Sequence, residues 1–201
     1  MSAPGDAAIV GDDGIGRCPW GAGSELLGEY HDREWGRVLH GRDALYERIS
    51  LEAFQSGLSW LIVLRKRPAF REAFAGFDPE AVARFDGTDT ARLLADAGIV
   101  RNRAKIEATV ANARAVLALA DRGEDLDTLL WSFAPPPREQ PPSGFEDVPA
   151  TTPASTAMAK ALRARGFRFV GPTTCYALMQ ATGMVDDHVA GCFRAIGAPG
   201  G

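Results

Sequence analysis

Toward its C-terminal end the chain carries His188-Val-Ala-Gly-Cys192, an imidazole and a thiol four residues apart. That spacing puts both on one face of a helix, which suits two ligands of a tetrahedral zinc, although such a pair also arises with no metal role. Just upstream, Gly166-Phe-Arg-Phe-Val-Gly-Pro-Thr-Thr-Cys-Tyr176 reads as a helix stop at Gly166, a tight apolar turn around Gly171-Pro172, and a new helix from near Thr173. Amides at a helix N-terminus bind anions, so a phosphodiester could dock there without any base being read. The plainer alternative is a turn that only punctuates two helices. Glu52 is the third candidate, because it falls on the apolar stripe of Leu45 and Ile49 and so faces a core or a pocket. A buried, unpaired carboxylate there needs a cationic or hydrogen-bonding ligand; the alternative is an exposed ion pair with Arg48, worth about 0.3 to 0.5 kcal/mol. Trp20, Trp35 and Trp60 lie in or beside loop-like segments, where aromatics near a carboxylate can sandwich a planar cationic heterocycle. Core packing is the competing role, and the one assigned to Trp131 in its apolar helix.

These residues need helices to position them. From Asp43 as N-cap a helical pattern runs to about Ser56 and stops at Gly57, and Ser59 caps the next, Trp60 to about Arg67. Pro68 opens a helix to Ala75, Asp78-Pro79 one to near Phe85, and Thr88 caps one to Ala97. The longest runs from Arg101 to about Ala120, with Ile106, Val110, Ala113 and Leu117 on one stripe. Leu126 to Phe133 makes a shorter one, Ala134 to Pro149 is a Pro-rich loop, and the pairs Pro153 to Arg165 and Thr173 to about Thr182 flank the hairpin. Cys18-Pro-Trp-Gly21 and Tyr30 to Gly36 show no period and read as an ordered N-terminal loop region. Sustained period-two alternation is missing, so the chain is expected to be all-α, with about eight to ten helices.

At 201 residues, 46% of them apolar, the chain is long enough for one well-buried core. No basic-then-apolar leader opens it, and Leu58 to Leu64, the longest apolar run, is too short to span a bilayer, so a cytoplasmic protein without a membrane partner is expected. Three widely spaced cysteines argue against a disulfide framework and leave thiols for metal. A net charge of −4 speaks mildly against nucleic acid. Against it stand three short basic segments free of acid: Arg65-Lys66-Arg67; Arg101, Arg103 and Lys105; Lys160, Arg163, Arg165 and Arg168. Solvated helix ends are their other reading. Met1 to Gly16 is expected as a disordered tail, residues 17–193 as the folded domain, and residues 194–201 as a flexible C-terminus.

Cys18-Pro-Trp20, Tyr30-His-Asp-Arg-Glu-Trp-Gly36, Leu51-Glu-Ala-Phe-Gln-Ser-Gly-Leu-Ser-Trp60, Asp96-Ala-Gly-Ile-Val-Arg101 and Gly166-Phe-Arg-Phe-Val-Gly171, in that order, resemble the 3-methyladenine DNA glycosylase I family. The resemblance covers about Arg17 to Cys192. It implies a helix-hairpin-helix glycosylase fold, two helical lobes around a cleft, with a structural zinc joining the two ends of the domain through Cys18, His31, His188 and Cys192. Those four make a closed site with no open position for activating water. It implies further that Glu52 accepts the damaged adenine between Trp60 and Tyr30, with Trp20 and Trp35 nearby. The turn Gln55 to Ser59 would probe the gap left by the flipped nucleotide. One departure is Leu27, where some relatives carry a second Tyr.

The expected function is that of a monofunctional glycosylase releasing 3-methyladenine from alkylated double-stranded DNA, with free 3-methyladenine as product ligand, the chain a monomer, and no lyase activity. DNA contacts are expected from Gly166, Arg168, Val170, Gly171 and Thr173 of the hairpin, from Leu58, and from Lys66 and Arg101. Two rivals are a non-catalytic zinc-stapled DNA-binding module and a zinc hydrolase. Val185-Asp-Asp-His188 also fits the V-D-x-H segment in which many members of the superfamily place a catalytic Asp, which makes Asp186 a catalytic candidate beside Glu52. In the 3-methyladenine family that position is commonly Asn, and Asp186 has another role open to it, capping a helix that carries His188.

Overall fold

The computed structural model describes residues 7–197. Nine α-helices carry it among the described residues: α1 Glu25–Arg33, α2 Arg42–Gln55, α3 Trp60–Ala73, α4 Pro79–Ala83, α5 Gly87–Ala95, α6 Arg103–Asp121, α7 Leu126–Trp131, α8 Pro153–Ala164 and α9 Pro172–Ala181. None of them is long and apolar enough to cross a membrane.

The N-terminal region differs from its expected loop because it contains α1. Ser24 Oγ accepts the Leu27 N–H at 3.3 Å, and nine residues follow that bury Tyr30 and His31. Gly28 and four charged side chains hide the helical period in so short a segment. Helix α2 starts at Arg42 with Gly41, not Asp43, as N-cap, and Asp43 lies in its first turn. Helix α3 runs through Pro68, which was expected to open a separate helix. A Pro inside a helix costs about 3 kcal/mol, and burial of Phe70 and Ala73 beyond it offsets that. Asp86 rather than Thr88 caps α5, accepting from Thr88 N at 2.7 Å and Asp89 N at 3.3 Å, while Asp89 returns a bond to Asp86 N.

Part of the expected disordered tail is ordered. Ile9–Val10 pairs antiparallel with Gly16–Arg17, the turn between them is held by Asp13 accepting from Ile15 N at 3.0 Å, and Gly16 O accepts from Phe193 N at 2.9 Å. Residues 1–6 and 198–201 lie outside the described residues. Within the expected flexible C-terminus, Ala195 is buried. Composition shows neither, because long-range partners do the ordering.

Two apolar clusters result. The larger packs α2 against α3, α6 and α9 around Tyr46, Phe54, Phe70, Phe74 and Phe77. In α6, Ile106, Val110 and Ala113 face it as expected, while Leu117 is half-buried and Val116 and Leu119 take the inner positions. The smaller cluster gathers Cys18, Tyr30, Trp35, Val189 and Cys192 from the two ends of the chain around Leu64 of α3. Trp60 packs against both.

Candidate functional site: an aromatic cavity with a buried carboxylate

Where the two clusters meet lies a cavity of about 500 Å³. Leu27 and Tyr30 of α1, Trp20, Trp35, Trp60, and Phe145 from the Pro-rich loop form its walls, with Glu52, Gln55 and Gln180 as polar members. Tyr30 and Trp60 stand with ring centroids 5.3 Å apart, and Trp20 sits 5.1 Å from Trp35. Leu27, the residue expected to depart from the family pattern, is on this wall.

Glu52 sits in the last turns of α2 at 5% exposure. Burial raises its pKa to about 7, and the Arg48 charge holds the rise back. The exposed Arg48–Glu52 pair does not form. Arg48 is itself buried, donates to Tyr30 Oη at 2.9 Å and approaches Glu34 at 3.5 Å, while Arg67 grips Glu34 with two bonds of 2.6 Å. Because Tyr30 Oη accepts from Arg48 and burial raises the phenol's pKa, Tyr30 stays neutral with its own proton available to donate. The cavity therefore presents aromatic faces and a carboxylate without a hydrogen-bonded partner, an arrangement suited to a flat cation.

Directly behind Trp20 and Trp35, Cys18, His31, His188 and Cys192 bring their ligand atoms within 4.8 Å of one another, all buried. This group could hold a metal ion. Cys192 Sγ lies 3.4 Å from His31 Nε2 and 3.5 Å from His188 Nδ1, and Cys18 Sγ 3.6 Å from His188 Nδ1. Asp32 fixes the His31 ring by taking its Nδ1 at 2.8 Å, and Arg17 holds Asp32 in turn. Two glycines make room: a Cβ on Gly21 would come within 2.8 Å of His31 Cγ, and one on Gly36 within 2.8 Å of His188 Nε2. The spacing argument for His188 and Cys192 fails in its mechanism, since both lie in an irregular segment after α9 rather than on a helix face. Asp186 accordingly caps no helix; its Oδ1 accepts from His188 N at 3.1 Å in a local turn. It lines a second cavity, of about 670 Å³, with Trp131 and the Pro-rich loop, and is not among the residues lining the Glu52 cavity.

Gly166, Arg168, Val170, Gly171 and Thr173 fall together in the turn and first residues between α8 and α9. No side chain caps the first amides of α9, whose N-cap is Gly171. Val170 is buried, Arg168 and Thr173 are exposed. Sequence reasoning missed Asn112, which clamps this turn from α6: Oδ1 accepts from Arg168 N at 2.7 Å and Nδ2 donates to Arg168 O at 3.1 Å. Leu58 lies in the Gln55–Ser59 turn at the cavity edge, braced by Gln55, and Arg101 is exposed. Other members of the basic segments serve the fold. Lys66 donates to Ala97 O and Gly98 O at 2.8 and 3.1 Å, Arg67 is ion-paired, and buried Lys105 donates to Phe54 O and Ser56 O, closing the C-terminus of α2. Phe145 and Gln180, on the cavity wall, and Asp187, bonded to Gln180 behind it, were also missed, because only the folded chain brings them together.

Residues 20–195 match the model of the methyladenine glycosylase family. The chain is 46% identical over 177 residues to DNA-3-methyladenine glycosylase 1 of Escherichia coli (strain K12), covering 88% of this chain and 95% of that protein. A crystal structure of 3-methyladenine DNA glycosylase I superposes with a TM-score of 0.85 at 45% identity, over 89% of this chain and 98% of that one. A structure addressing 3-methyladenine recognition by the Staphylococcus aureus glycosylase I gives a TM-score of 0.80 at 34% identity, over 85% and 91% of the two chains. A cavity walled by tryptophans and a tyrosine around one buried carboxylate, on a helical frame shared along nearly its whole length with these proteins, places the chain in the methyladenine glycosylase family.

Proposed function

We infer that the protein is a DNA glycosylase that excises 3-methyladenine from alkylated DNA by hydrolysing the N-glycosidic bond, the first step of base excision repair. The observation that carries this is Glu52, a carboxylate with no hydrogen-bonded partner, buried in an aromatic cavity large enough to admit a flipped base. N3-methylation makes the adenine cationic and a good leaving group. The protein therefore has to select the base, extrude it and hold it while the sugar passes through an oxocarbenium-like state. Trp60 and Tyr30 would bracket the flipped base, Trp20 and Trp35 would close the far side, and Glu52 would accept its N–H groups and balance its charge. Among the described residues no lysine lines the cavity, which supports hydrolysis without lyase chemistry.

The α8–α9 turn would act as a helix-hairpin-helix element, its open amides holding phosphate with Arg168 and Arg101, while Leu58 would fill the gap in the stack. Lys66 would add less than expected, because carbonyls already occupy it. The Cys18, His31, His188 and Cys192 group would hold one zinc. Bonds of about 2.3 Å to sulfur and 2.0 Å to nitrogen in a tetrahedron separate S from N by about 3.5 Å, and three of the four S–N pairs here stand at 3.4 to 3.6 Å. An ion held by all four residues would have no open position, so its role would be to join the two ends of the domain. The protein is proposed to act as a monomer.

Chromatographic detection of free 3-methyladenine released from methylated DNA tests the reading. A protein that binds such DNA but releases no base would be the non-catalytic binding module instead.

A further inference from the structure

Asp187 is a buried charge that the glycosylase reading leaves without a task. Its side chain is closed off at 1% exposure, where an ionised carboxylate needs strong compensation. Three groups supply it. Tyr176 Oη donates to Oδ2 at 2.6 Å, Gln180 Nε2 donates to the same oxygen at 2.9 Å, and Arg138 Nη2 faces Oδ1 at 3.0 Å, a charge contact without the alignment of a hydrogen bond. Gln180 is the link to function, because it also lines the Glu52 cavity.

An amide can sit either way round, but here the choice is forced. A carboxylate oxygen accepts only, so the nitrogen of Gln180 must face Asp187; the reverse would set two acceptors against each other at 2.9 Å. Tyr176, held neutral by burial, which pushes its pKa up to about 12, donates and cannot take over that role. The Gln180 oxygen is then left as an acceptor, with no protein partner and without being sealed from solvent.

We propose that Asp187 is a positioning residue that locks Gln180 as an acceptor-only group on the cavity wall, so that the site selects an exocyclic amine and rejects an exocyclic carbonyl on the alkylated base. The proposal rests on the glycosylase reading and deepens it. Adenine carries two N–H donors on its exocyclic nitrogen. Guanine carries an oxygen there, which would be set against the Gln180 oxygen, an acceptor with no proton to give. The site would therefore reject the guanine base by an unmade bond and a repulsion, rather than by size.

Calorimetric titration of free 3-methyladenine and free 3-methylguanine into the full chain, wild type, Gln180→Met and Asp187→Asn, decides it. Gln180→Met keeps the side-chain length and the Asp187–Tyr176 bond and removes the acceptor. It is expected to weaken 3-methyladenine about tenfold while leaving 3-methylguanine unchanged or tighter, so the ratio of the two affinities falls at least tenfold. Asp187→Asn frees the amide to turn and is expected to lower the same ratio, in a protein whose melting is checked in parallel. Equal weakening of both bases in Gln180→Met, or no change in either, overturns the proposal with the functional reading intact. A folded wild type that binds neither base and releases none from methylated DNA overturns the functional reading and the proposal with it.

Discussion

Replacing Glu52 by Gln should make the ligand-free protein more stable while impairing what the protein does. The carboxyl has an ordinary value of 4.5 in the unfolded chain and is raised to about 7 in the fold, mainly by burial. Between those two values the folded state binds more protons than the unfolded one, so stability falls as pH rises through that window. Below pH 4.5 the acid is neutral in both states and carries no penalty; above 7 the whole penalty is present. At about 1.4 kcal/mol per pH unit the span comes to roughly 3 kcal/mol, and with the side chain at 5% exposure solvent screening reduces it little. Glu52→Gln, of the same shape and without the charge, should therefore match wild type near pH 5 to within about 1 kcal/mol. It should exceed it by about 3 kcal/mol at pH 8, an increase of about 6 to 12 °C in melting temperature. Urea unfolding of both proteins across pH 5 to 8 gives the difference directly. Saturating free 3-methyladenine should narrow the gap, because only wild type gains a charge partner. A difference that stays flat with pH would show that the Glu52 carboxylate is already compensated, and the argument that it waits for a cationic ligand would fall.

Cys192→Ala should abolish metal binding and lower stability by several kcal/mol, since the site joins segments far apart in sequence; one zinc per wild-type chain and none in the variant, by elemental analysis, is the check. Asp186→Asn should slow 3-methyladenine release by less than about tenfold, or about 1.4 kcal/mol of barrier, because the leaving group is already cationic. A thousandfold loss in single-turnover rates, with folding and DNA binding intact, would make Asp186 the catalytic carboxylate. Asn112→Ala removes two bonds to the Arg168 backbone and should cost about 2 kcal/mol of stability while weakening undamaged DNA more than free 3-methyladenine, measured by paired titrations. Equal weakening of the two would refute the role given to the α8–α9 turn.

What the sequence discloses and what it hides divide along physical lines. Glu52 was legible because a carboxylate on the Leu45–Ile49 stripe violates helical patterning, and the violation shows without a fold. Cys18, His31, His188 and Cys192 were legible by type, yet the helix supposed to align the last pair is not there; a turn brings both ligand atoms to the cluster just as well. Helix α1 was hidden by Gly28 and by its charges, and the short strand pair by a turn and a C-terminal partner that composition cannot see. Lys66 and Lys105 misled in a different way. A run of basic residues suggests free charge, but the run does not tell which members reach inward to carbonyls at helix ends. Asn112, Gln180 and Asp187 are ordinary polar residues on helical or loop segments, and their roles exist only once α6, α9 and the following turn are packed.

The Cys-His cluster has a second consequence for the cavity, which follows from sequence neighbours rather than from reach. Cys18 lies two residues before Trp20, His31 follows Tyr30, and His188 follows Asp187, so three of the four cluster residues sit beside residues of the cavity wall or the anchor of Gln180. The rings confirm the contact: Trp35 stands 4.6 Å from His188 and Trp20 5.2 Å from His31, centroid to centroid. Fixing the cluster therefore fixes the rotamers of the aromatic walls on one side and the anchor of Gln180 on the other, although none of its atoms needs to touch the base. A cavity that recognises a flat cation by stacking depends on wall spacing to within a few tenths of an ångström, because dispersion and cation–π attraction both fall steeply with distance. A metal with no open coordination position would in this way act on base selection through geometry alone. Its loss should weaken free 3-methyladenine more than undamaged DNA, whose phosphates are proposed to meet the α8–α9 turn rather than the cavity.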